Sequence, residues 1–435
     1  MFHKTTYDKA IMSLALPAFG ALVAEPIYIL TDTAFMGHVG TDSLAALAIA
    51  SAVLLSAHSA LIFLAYGTTG IVGRLLGGGK HKEAADQGIQ ALWLAVILGI
   101  ITSILLLFFG QSLISLFNPE AAVESLALTY LRISLIGFTG QLVVLAGTGY
   151  LRGIKNTKTP LAIAICGALT NLVLEIIFVF YFDLGITGSA LSTIIAQWLS
   201  AILYLSVIRS STKGLGLSFR PHFRSLAIYA RVGFQLFIRT AALRSSLLIA
   251  AALASRLGTA EVASHQIGME IWSLFALTLD AIAIAGQALV ANALGAGDFK
   301  TARSASNRMV GINIQAGLVF GTALLAFNNQ LPYLFTRDLE VIQLSSFILV
   351  FVALAQPLNG LVFALDGIFM GAGDFAFLAK AMVGAFAIFV AITAAVTKYD
   401  LGIGWLWSAI TILTILRAIP LWIRFKGNTW LKSSL

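Results

Sequence analysis

The segment Leu75-Leu76-Gly77-Gly78-Gly79-Lys80 recurs 218 positions further along the chain as Ala293-Leu294-Gly295-Ala296-Gly297-Asp298. The same offset relates other pairs on both sides of this segment, and no insertion interrupts the register. Two copies of one unit therefore make up the 435 residues. The other matching pairs are Gly40-Thr41 with Gly258-Thr259, Leu116-Phe117 with Leu334-Phe335, Gly149 with Gly367, and Gly153 with Gly371.

Hydrophobic residues make up 59% of the chain and charged residues 11%, too few charges to cover a water-exposed surface. A membrane-spanning helix needs about 20 predominantly apolar residues. The sequence therefore predicts an all-α integral membrane protein with two six-helix lobes, related by a pseudo-two-fold axis along the membrane normal. Duplicated bundles of this kind are typical of secondary transporters. The twelve predicted transmembrane helices are 10–36, 43–76, 84–109, 120–147, 156–180, 186–209, 223–256, 260–294, 300–327, 339–370, 374–397 and 401–424.

The polar segment 209–224 is predicted to be a cytoplasmic crossover linker between an N-terminal lobe, 1–208, and a C-terminal lobe, 225–435. Most of the 27 Lys and Arg residues fall in loops on one side. By the positive-inside rule this places both termini in the cytoplasm, as expected for a multi-pass protein of the cell inner membrane. The basic charge orients the chain and contacts anionic lipid, so nucleic acid is not an expected partner. The internal repeat completes a bundle without a second chain, which favours a monomer.

Ionisable residues within the predicted helices are candidates for a functional site, because a charge inside the bilayer is costly. Structural ion pairs between helices are the alternative reading for each of them. Arg132 and Arg417 also lie near enough to predicted helix ends to extend toward the interface. The full set is Glu25, Asp32, Glu175, Glu270, Asp280, Asp366, Arg132, Arg239, Arg244 and Arg417.

The first helix carries two of these acids. Glu25 and Asp32 are seven residues apart, two helical turns, and so share a face. Pro17 and Pro26 each remove a backbone donor and are candidate hinges. A carboxyl group in an apolar cavity can take up a proton from one side and release it to the other, which favours Asp32 and Glu25 as coupling residues. The alternative is that both acids form salt bridges with arginines of the C-terminal lobe.

Polar residues of the fifth and sixth helices add to this site. Asn171 and Glu175 are one turn apart on the same face, and Thr193 follows in the next helix. Carboxylate, amide and hydroxyl oxygens are ligands for a hard cation such as Na⁺. Together with Asp32, these residues predict a binding site for H⁺ or Na⁺. No other metal or cofactor is expected.

The two central acids are not duplicated, because their repeat partners are Ala250 and Thr393. Ion coupling is therefore expected in the N-terminal lobe. No Gly-Lys-Ser/Thr motif follows the glycine-rich segments, so a nucleotide-driven pump is not expected. The C-terminal lobe has a polar set of its own, which is expected to form either a second network or part of the substrate wall. Its members are Arg239, Arg244, Asp280 and Asp366.

A series of short motifs runs along the whole chain: Leu16-Pro17, Thr31-Asp32-Thr33-Ala34-Phe35-Met36-Gly37-His38, Leu151-Arg152-Gly153 with Asn156-Thr157, Asn171-Leu172-Val173-Leu174-Glu175, Leu243-Arg244-Ser245, Leu279-Asp280, Gln287-Ala288-Leu289-Val290 with Leu294-Gly295-Ala296-Gly297-Asp298, and Asp366-Gly367-Ile368-Phe369-Met370-Gly371-Ala372-Gly373-Asp374. Together and in this order, the motifs resemble the multidrug and toxic compound extrusion (MATE) family, most closely its branch named for DNA-damage-inducible protein F (DinF). The resemblance implies a twelve-helix bundle and antiport of H⁺ or Na⁺ against organic, mostly cationic compounds. It also implies that Asp32 is the coupling aspartate, with Asn171, Glu175 and Thr193 at the cation-site positions. Glu175 departs from the family pattern, which has aspartate there, and this longer side chain favours H⁺ over a tight Na⁺ site.

Aromatic and methionine side chains form an adaptable wall for lipophilic cations in the leading hypothesis. The alternative, favoured for any single one of them, is an ordinary lipid-facing or packing residue. A flippase for lipid-linked oligosaccharides is the alternative function, since Arg239 and Arg244 offer positive charge to an anionic headgroup. An enzyme is not expected, because the sequence has neither His-Glu-x-x-His nor Gly-x-Ser-x-Gly. The candidate wall residues are Phe35, Met36, Phe237, Trp272 and Met370.

Overall fold

The computed structural model describes residues 6–432 and contains no β-strand within that range. Twelve spans in it are long and apolar enough to cross a membrane, six in each copy of the repeat, which confirms the twelve predicted transmembrane helices. One span, Thr41–Gly77, is built from two helices. The helices are α1 (Thr6–Val39), α2 (Thr41–Ala60), α3 (Phe63–Gly77), α4 (His81–Ser115), α5 (Ala121–Gly153), α6 (Lys158–Glu175), α7 (Gly185–Ser211), α8 (Phe223–Leu257), α9 (Thr259–Gly295), α10 (Phe299–Phe327), α11 (Leu339–Ala372), α12 (Phe375–Lys398) and α13 (Ile403–Lys426).

The repeated glycines perform the same task in both copies. Gly79 and Gly297 follow the ends of α3 and α9 with φ angles of 74° and 72°, a left-handed conformation that glycine adopts without steric cost. The chain then enters the next helix. Asp298 caps α10 by accepting a hydrogen bond from the Thr301 amide at 2.9 Å. The hydrogen bonds from Thr301 hold the pKa of the Asp298 carboxyl below its usual range.

Another repeated pair permits close helix packing. A Cβ atom at Gly149 on α5 would lie 2.5 Å from the carbonyl oxygen of Ala65 on α3. A Cβ atom at Gly367 on α11 would lie 2.5 Å from the carbonyl oxygen of Ala283 on α9. Ala65 and Ala283 are themselves repeat partners, so the same contact between helix backbones occurs in each copy. Small residues at such contacts are typical of helix packing in membranes.

We expect Gly149→Ala and Gly367→Ala each to destabilise the protein by about 2 kcal/mol or more, because backbone on the neighbouring helix must move to admit the new methyl group. Gly311→Ala and Gly384→Ala are matched controls within helices, since no atom beyond the adjacent residues and the backbone of the same helix lies within 4 Å of a Cβ at either position. Thermal unfolding followed by size-exclusion chromatography measures the difference. Equal melting temperatures for all four variants would contradict the packing argument.

The chain divides into two compact units. The N-terminal unit is Leu16–Gly233, and the C-terminal unit is Phe234–Leu435 together with the start of α1 up to Ala15. Within the C-terminal unit, Arg308 on α10 donates two hydrogen bonds, of 2.5 and 2.8 Å, to the Asp8 carboxylate on α1. The first helix thus contributes to both units, and the change occurs just before Pro17. The predicted division into lobes 1–208 and 225–435, joined by the linker 209–224, stays a prediction.

The segment between α7 and α8 is fixed to α4 within the N-terminal unit. The Gln90 side chain donates to the Arg220 carbonyl at 3.1 Å and accepts from the His222 amide at 2.7 Å. The Trp93 indole donates to the Phe219 carbonyl at 2.7 Å. The predicted crossover is therefore docked against a helix along part of its length.

Candidate ion-coupling site

Two carboxyl groups lie side by side inside the N-terminal unit. Asp32 on α1 is 4% exposed, and Glu175 at the end of α6 is fully buried. Their carboxyl groups are close enough to interact directly. Oδ1 of Asp32 and both side-chain oxygens of Glu175 receive no hydrogen bond from a donor in the described chain. Two adjacent carboxylates repel each other, and a proton or monovalent cation bound between them removes that repulsion.

A hydrogen-bonded cluster of neutral groups lies beside the acids. The Tyr28 hydroxyl donates to Oγ1 of Thr193 at 2.8 Å. The Asn171 amide lies 3.4 Å from the Tyr28 oxygen, 3.3 Å from Oγ of Ser192 and 3.4 Å from Oγ1 of Thr193. The structure therefore brings Asn171 and Thr193 together, as the sequence predicts. Hydroxyl and amide groups of this kind orient a proton or ligate a small cation.

Sequence reasoning missed Tyr28, Ser192 and Tyr130. Tyr28 is one helical turn before Asp32, and its hydroxyl requires a partner in an apolar environment. That requirement is the signal that points to it. Tyr130 on α5 is 4% exposed and lines the same cavity as Asp32. No pattern in the sequence distinguishes it from other tyrosines.

The helix that carries Glu175 changes character at that residue. α6 ends there, and the chain continues as a π-helical segment, Ile176–Tyr181. Such segments widen the helix, alter the register of the following side chains and frequently occur at functional sites. Gly188 on α7 allows this wider segment to approach, because a Cβ there would lie 2.9 Å from the Phe178 backbone.

A cavity of about 320 Å³ opens next to this cluster. It is called the Asp32 cavity below. No Lys, Arg or His is among its lining residues, so Asp32 is the charged side chain that a ligand would meet there. In the described part of the chain, no three His, Cys, Asp or Glu side chains are grouped to hold a metal ion. The polar lining residues are Tyr28, Asp32, Thr33, Ser51, Tyr130, Ser134, Gln141, Thr193 and Gln197.

Glu25 does not line the Asp32 cavity. It is exposed and lines a neighbouring cavity of about 300 Å³, together with His58 and Arg152. The seven-residue spacing places Glu25 and Asp32 on one face of α1 but about 10 Å apart along its axis. The two acids therefore belong to different cavities. α1 is continuous through Pro17 and Pro26, and the predicted hinge role of these prolines stays a prediction.

In the C-terminal unit, Asp366 on α11 binds two arginines. Its Oδ2 atom lies 2.5 Å from Nη2 of Arg239 on α8 and 2.9 Å from Nη2 of Arg417 on α13. Arg239 and Asp366 thus meet as the predicted network requires. Arg417 is not extended toward an interface as the sequence suggested, because Asp366 holds it inside the unit. Arg244 is exposed and forms no ion pair with a described residue, whereas Asp280 is half-buried on α9.

The candidate wall residues mostly pack into hydrophobic clusters. Met36 is fully buried, and Phe35 packs edge-on against Phe180 with ring centroids 5.3 Å apart. Met370 is 4% exposed, and Trp272 packs against the core of the C-terminal unit. Neither Phe35 nor Met36 lines the two cavities described above. Phe237, at 42% exposed, is the most exposed of the five.

The family model described as MatE matches residues 17–177 and again 236–396. The chain belongs to the MatE family. The two matches correspond to the two copies of the internal repeat, and family members are membrane transporters. This MatE protein is therefore a multi-pass membrane transporter and not an enzyme.

Relatives from plants and bacteria cover nearly the whole MatE chain. Protein DETOXIFICATION 43 of Arabidopsis thaliana is 31% identical over 96% of this chain and 90% of its own. DNA damage-inducible protein F of Escherichia coli is 27% identical over 99% of this chain and 95% of its own, which supports the DinF-like assignment. The crystal structure of the Vibrio cholerae MATE transporter VcmN in the bent form superimposes with a TM-score of 0.90 at 21% identity, over 98% of each chain.

Proposed function

We propose that this MatE protein is a secondary active antiporter. It exports organic compounds, mostly lipophilic cations, in exchange for H⁺ or Na⁺ by alternating access. The observation that carries this proposal is the buried pair Asp32 and Glu175, beside a cavity whose lining contains no basic side chain. A transporter of multidrug type is supported by relatives such as the probable multidrug resistance protein NorM of Thermotoga maritima, 25% identical over 84% of this chain and 80% of its own.

The coupling between ion binding and compound binding follows from the balance of charge at the carboxyl pair. A proton or Na⁺ at the carboxyl pair neutralises the negative charge that otherwise attracts a cationic compound. Ion and compound therefore weaken each other's binding, and this mutual effect is equal in both directions. A gradient that loads the ion from one side displaces the compound on that side. Tyr28 and Thr193, hydrogen-bonded to each other beside the pair, supply oxygen atoms for either ion.

The flippase alternative rests on a different observation. Arg239 and Arg417 converge on the single carboxylate of Asp366, which leaves one net positive charge in this three-residue cluster of the C-terminal unit. An anionic headgroup is the ligand that such a charge would attract. Reconstituted protein that moved a labelled lipid-linked oligosaccharide across the bilayer, but no organic cation, would favour this function.

We also propose that the protein lies in the cell inner membrane as a monomer with cytoplasmic termini. The distribution of Lys and Arg supports this orientation. The ends themselves, residues 1–5 and 433–435, lie outside the described residues. A fluorescent protein fused to the C-terminus is expected to fold and fluoresce, as fusions on the cytoplasmic side do.

The proposed function is tested by ethidium efflux from proteoliposomes under a pH gradient or a Na⁺ gradient, imposed separately. We expect one of the two gradients to drive efflux from liposomes that contain the wild-type protein, and neither to do so in protein-free liposomes. The active gradient identifies the coupling ion. Efflux that is equally fast without any gradient would overturn antiport.

A further inference from the structure

A basic side chain is buried at the C-terminal end of α5. Arg152 is 7% exposed and lines the same cavity of about 300 Å³ as Glu25. This cavity is called the Arg152 cavity below. Among the residues that the structure describes, Arg152 takes part in no ion pair. A guanidinium group stays charged in proteins, so a buried one without a carboxylate partner is a candidate binding group for an anion.

The Arg152 side chain is not required to cap its own helix. Basic side chains near a helix C-terminus commonly bond the last carbonyl groups. In α5 those carbonyls accept hydrogen bonds from other donors, so the N–H groups of the guanidinium remain available to a ligand. The donors and carbonyls are Thr69 hydroxyl to Gly149 at 3.1 Å, Ile154 amide to Tyr150 at 3.1 Å, Asn156 amide to Leu151 at 2.8 Å and Lys155 amide to Arg152 at 2.9 Å.

Hydroxyl groups line the cavity beside Arg152. Thr148 is one helical turn before Arg152 on α5, so the two side chains share a face. The Thr148 hydroxyl donates to the Tyr204 oxygen on α7 at 2.8 Å, which leaves the hydroxyl hydrogen of Tyr204 free to donate. Ser200, one turn before Tyr204, lines the same cavity. A guanidinium group with hydroxyl donors beside it is a set that binds a carboxylate or a comparable anion.

Glu25 and Arg152 lie toward opposite ends of this cavity. Gln141 on α5 and Tyr28 on α1 line both the Arg152 cavity and the Asp32 cavity, and so mark the end that the two cavities share. Glu25 is one turn from Tyr28, whereas Arg152 is about 16 Å from Gln141 along α5. The Arg152 cavity therefore has a carboxylate near one end and a guanidinium group near the other.

We propose that the Arg152 cavity binds compounds that carry both a cationic and an anionic group, with the anionic group against Arg152 and the cationic group toward Glu25. Arg152 is then a specificity-determining residue among organic cations. A carboxylate accepts two parallel, charge-assisted hydrogen bonds from the guanidinium, which an uncharged ester cannot match. The inference rests on the proposed function, because it narrows the class of the exported compound.

The test uses the full-length protein in lipid nanodiscs and two ligands that differ in one group. Carboxybutyl-triphenylphosphonium carries a permanent cation and a carboxylate, and its methyl ester carries the same cation alone. Equilibrium binding of each is measured at about pH 7.5, where the carboxyl group is ionised. Empty nanodiscs correct for partitioning into lipid. The variants are Arg152→Gln, Arg152→Met, Tyr204→Phe, Glu25→Gln and the control Arg209→Gln, whose exposed side chain lies in the last turn of α7 and lines neither cavity.

We expect the wild type and Arg209→Gln to bind the carboxylate form about five-fold or more tightly than the methyl ester. Both Arg152 variants are expected to bind the two forms equally and to keep the wild-type affinity for the ester. Tyr204→Phe should narrow the preference about two-fold, because it removes one hydroxyl donor. Glu25→Gln should weaken binding of the ester, which is purely cationic. Size-exclusion profiles establish that each variant is folded.

Several results would overturn the inference. They are equal affinity of the wild type for both forms, a preference that persists in both Arg152 variants, and absence of binding of either form. If neither Arg152 variant folds, an unchanged preference in Tyr204→Phe overturns it. Ethidium has no carboxylate, so the proposed function fails separately, when gradient-driven ethidium efflux is absent.

Discussion

Asp32→Asn is expected to reduce gradient-driven efflux to less than about one tenth of the wild-type rate, because a neutral amide cannot exchange the coupling ion. Glu175→Gln is expected to have a similar effect, since the two carboxyl groups interact directly. Efflux of ethidium from proteoliposomes measures both. The exchange of carboxylate for amide preserves the size of each side chain, so folding is not expected to change.

Asp42→Asn is the matched control. Asp42 lies in the first turn of α2, where it is exposed, and it does not line either cavity. Its replacement should leave efflux unchanged. Full efflux in Asp32→Asn would place the coupling carboxylate elsewhere, and the same result in Glu175→Gln would reduce the site to Asp32 alone.

The second large effect is expected at Asp366. Its side chain is 9% exposed, and those of Arg239 and Arg417 are 13% and 11% exposed. Asp366→Asn leaves two buried guanidinium groups without a counter-charge, and we expect a loss of about 3–5 kcal/mol of stability. Thermal unfolding of the purified protein measures this loss. The melting temperature of the variant should fall well below that of the wild type.

A triple variant separates charge balance from a specific role of the carboxylate. Asp366→Asn combined with Arg239→Met and Arg417→Met removes all three charges, and we expect it to recover most of the lost stability. Its efflux then shows whether this cluster is a structural lock or part of the transport cycle. An Asp366→Asn protein as stable as the wild type would mean that the arginines find other partners.

The helices could be predicted from the sequence because the bilayer fixes their length. An apolar segment long enough to span the membrane is evident from composition alone, and the backbone in lipid has few alternatives to the helix. The internal repeat also relates helix contacts in the two copies. Gly149 packs against Ala65 in the first copy, and Gly367 packs against Ala283 in the second. The break between α2 and α3 was not predicted, because its residues are as apolar as those of an unbroken helix.

The direction of apolar side chains could not be predicted. A soluble helix shows its buried face by the period of its apolar residues, but a membrane helix is apolar on all sides. Met36 and Phe35 therefore gave no sign that they pack inside the N-terminal unit. Arg417 is a similar case, since a long side chain near a helix end can extend either outward or inward. Only the position of Asp366 decides between the two.

The polar site was more predictable. Asp32, Asn171, Glu175 and Thr193 were identified because polar groups are scarce in apolar helices and each requires a reason. The seven-residue spacing places Glu25 on the same face of α1 as Asp32. The rise of the helix over those seven residues nevertheless separates the two side chains by about 10 Å along the axis. Spacing indicates a shared face and not a shared cavity. Tyr28 escaped notice because its ring counts as apolar while its hydroxyl completes the network.

The central claim is that Asp32 and Glu175 hold an ion that a cationic compound displaces. Its most direct test is ion release on addition of ethidium to purified protein, in weakly buffered solution equilibrated with radioactive sodium. We predict release of protons or of sodium in the wild type and in Asp42→Asn, and release of neither in Asp32→Asn. Ethidium binding without any ion release in the wild type, or undiminished release in Asp32→Asn, would contradict the account.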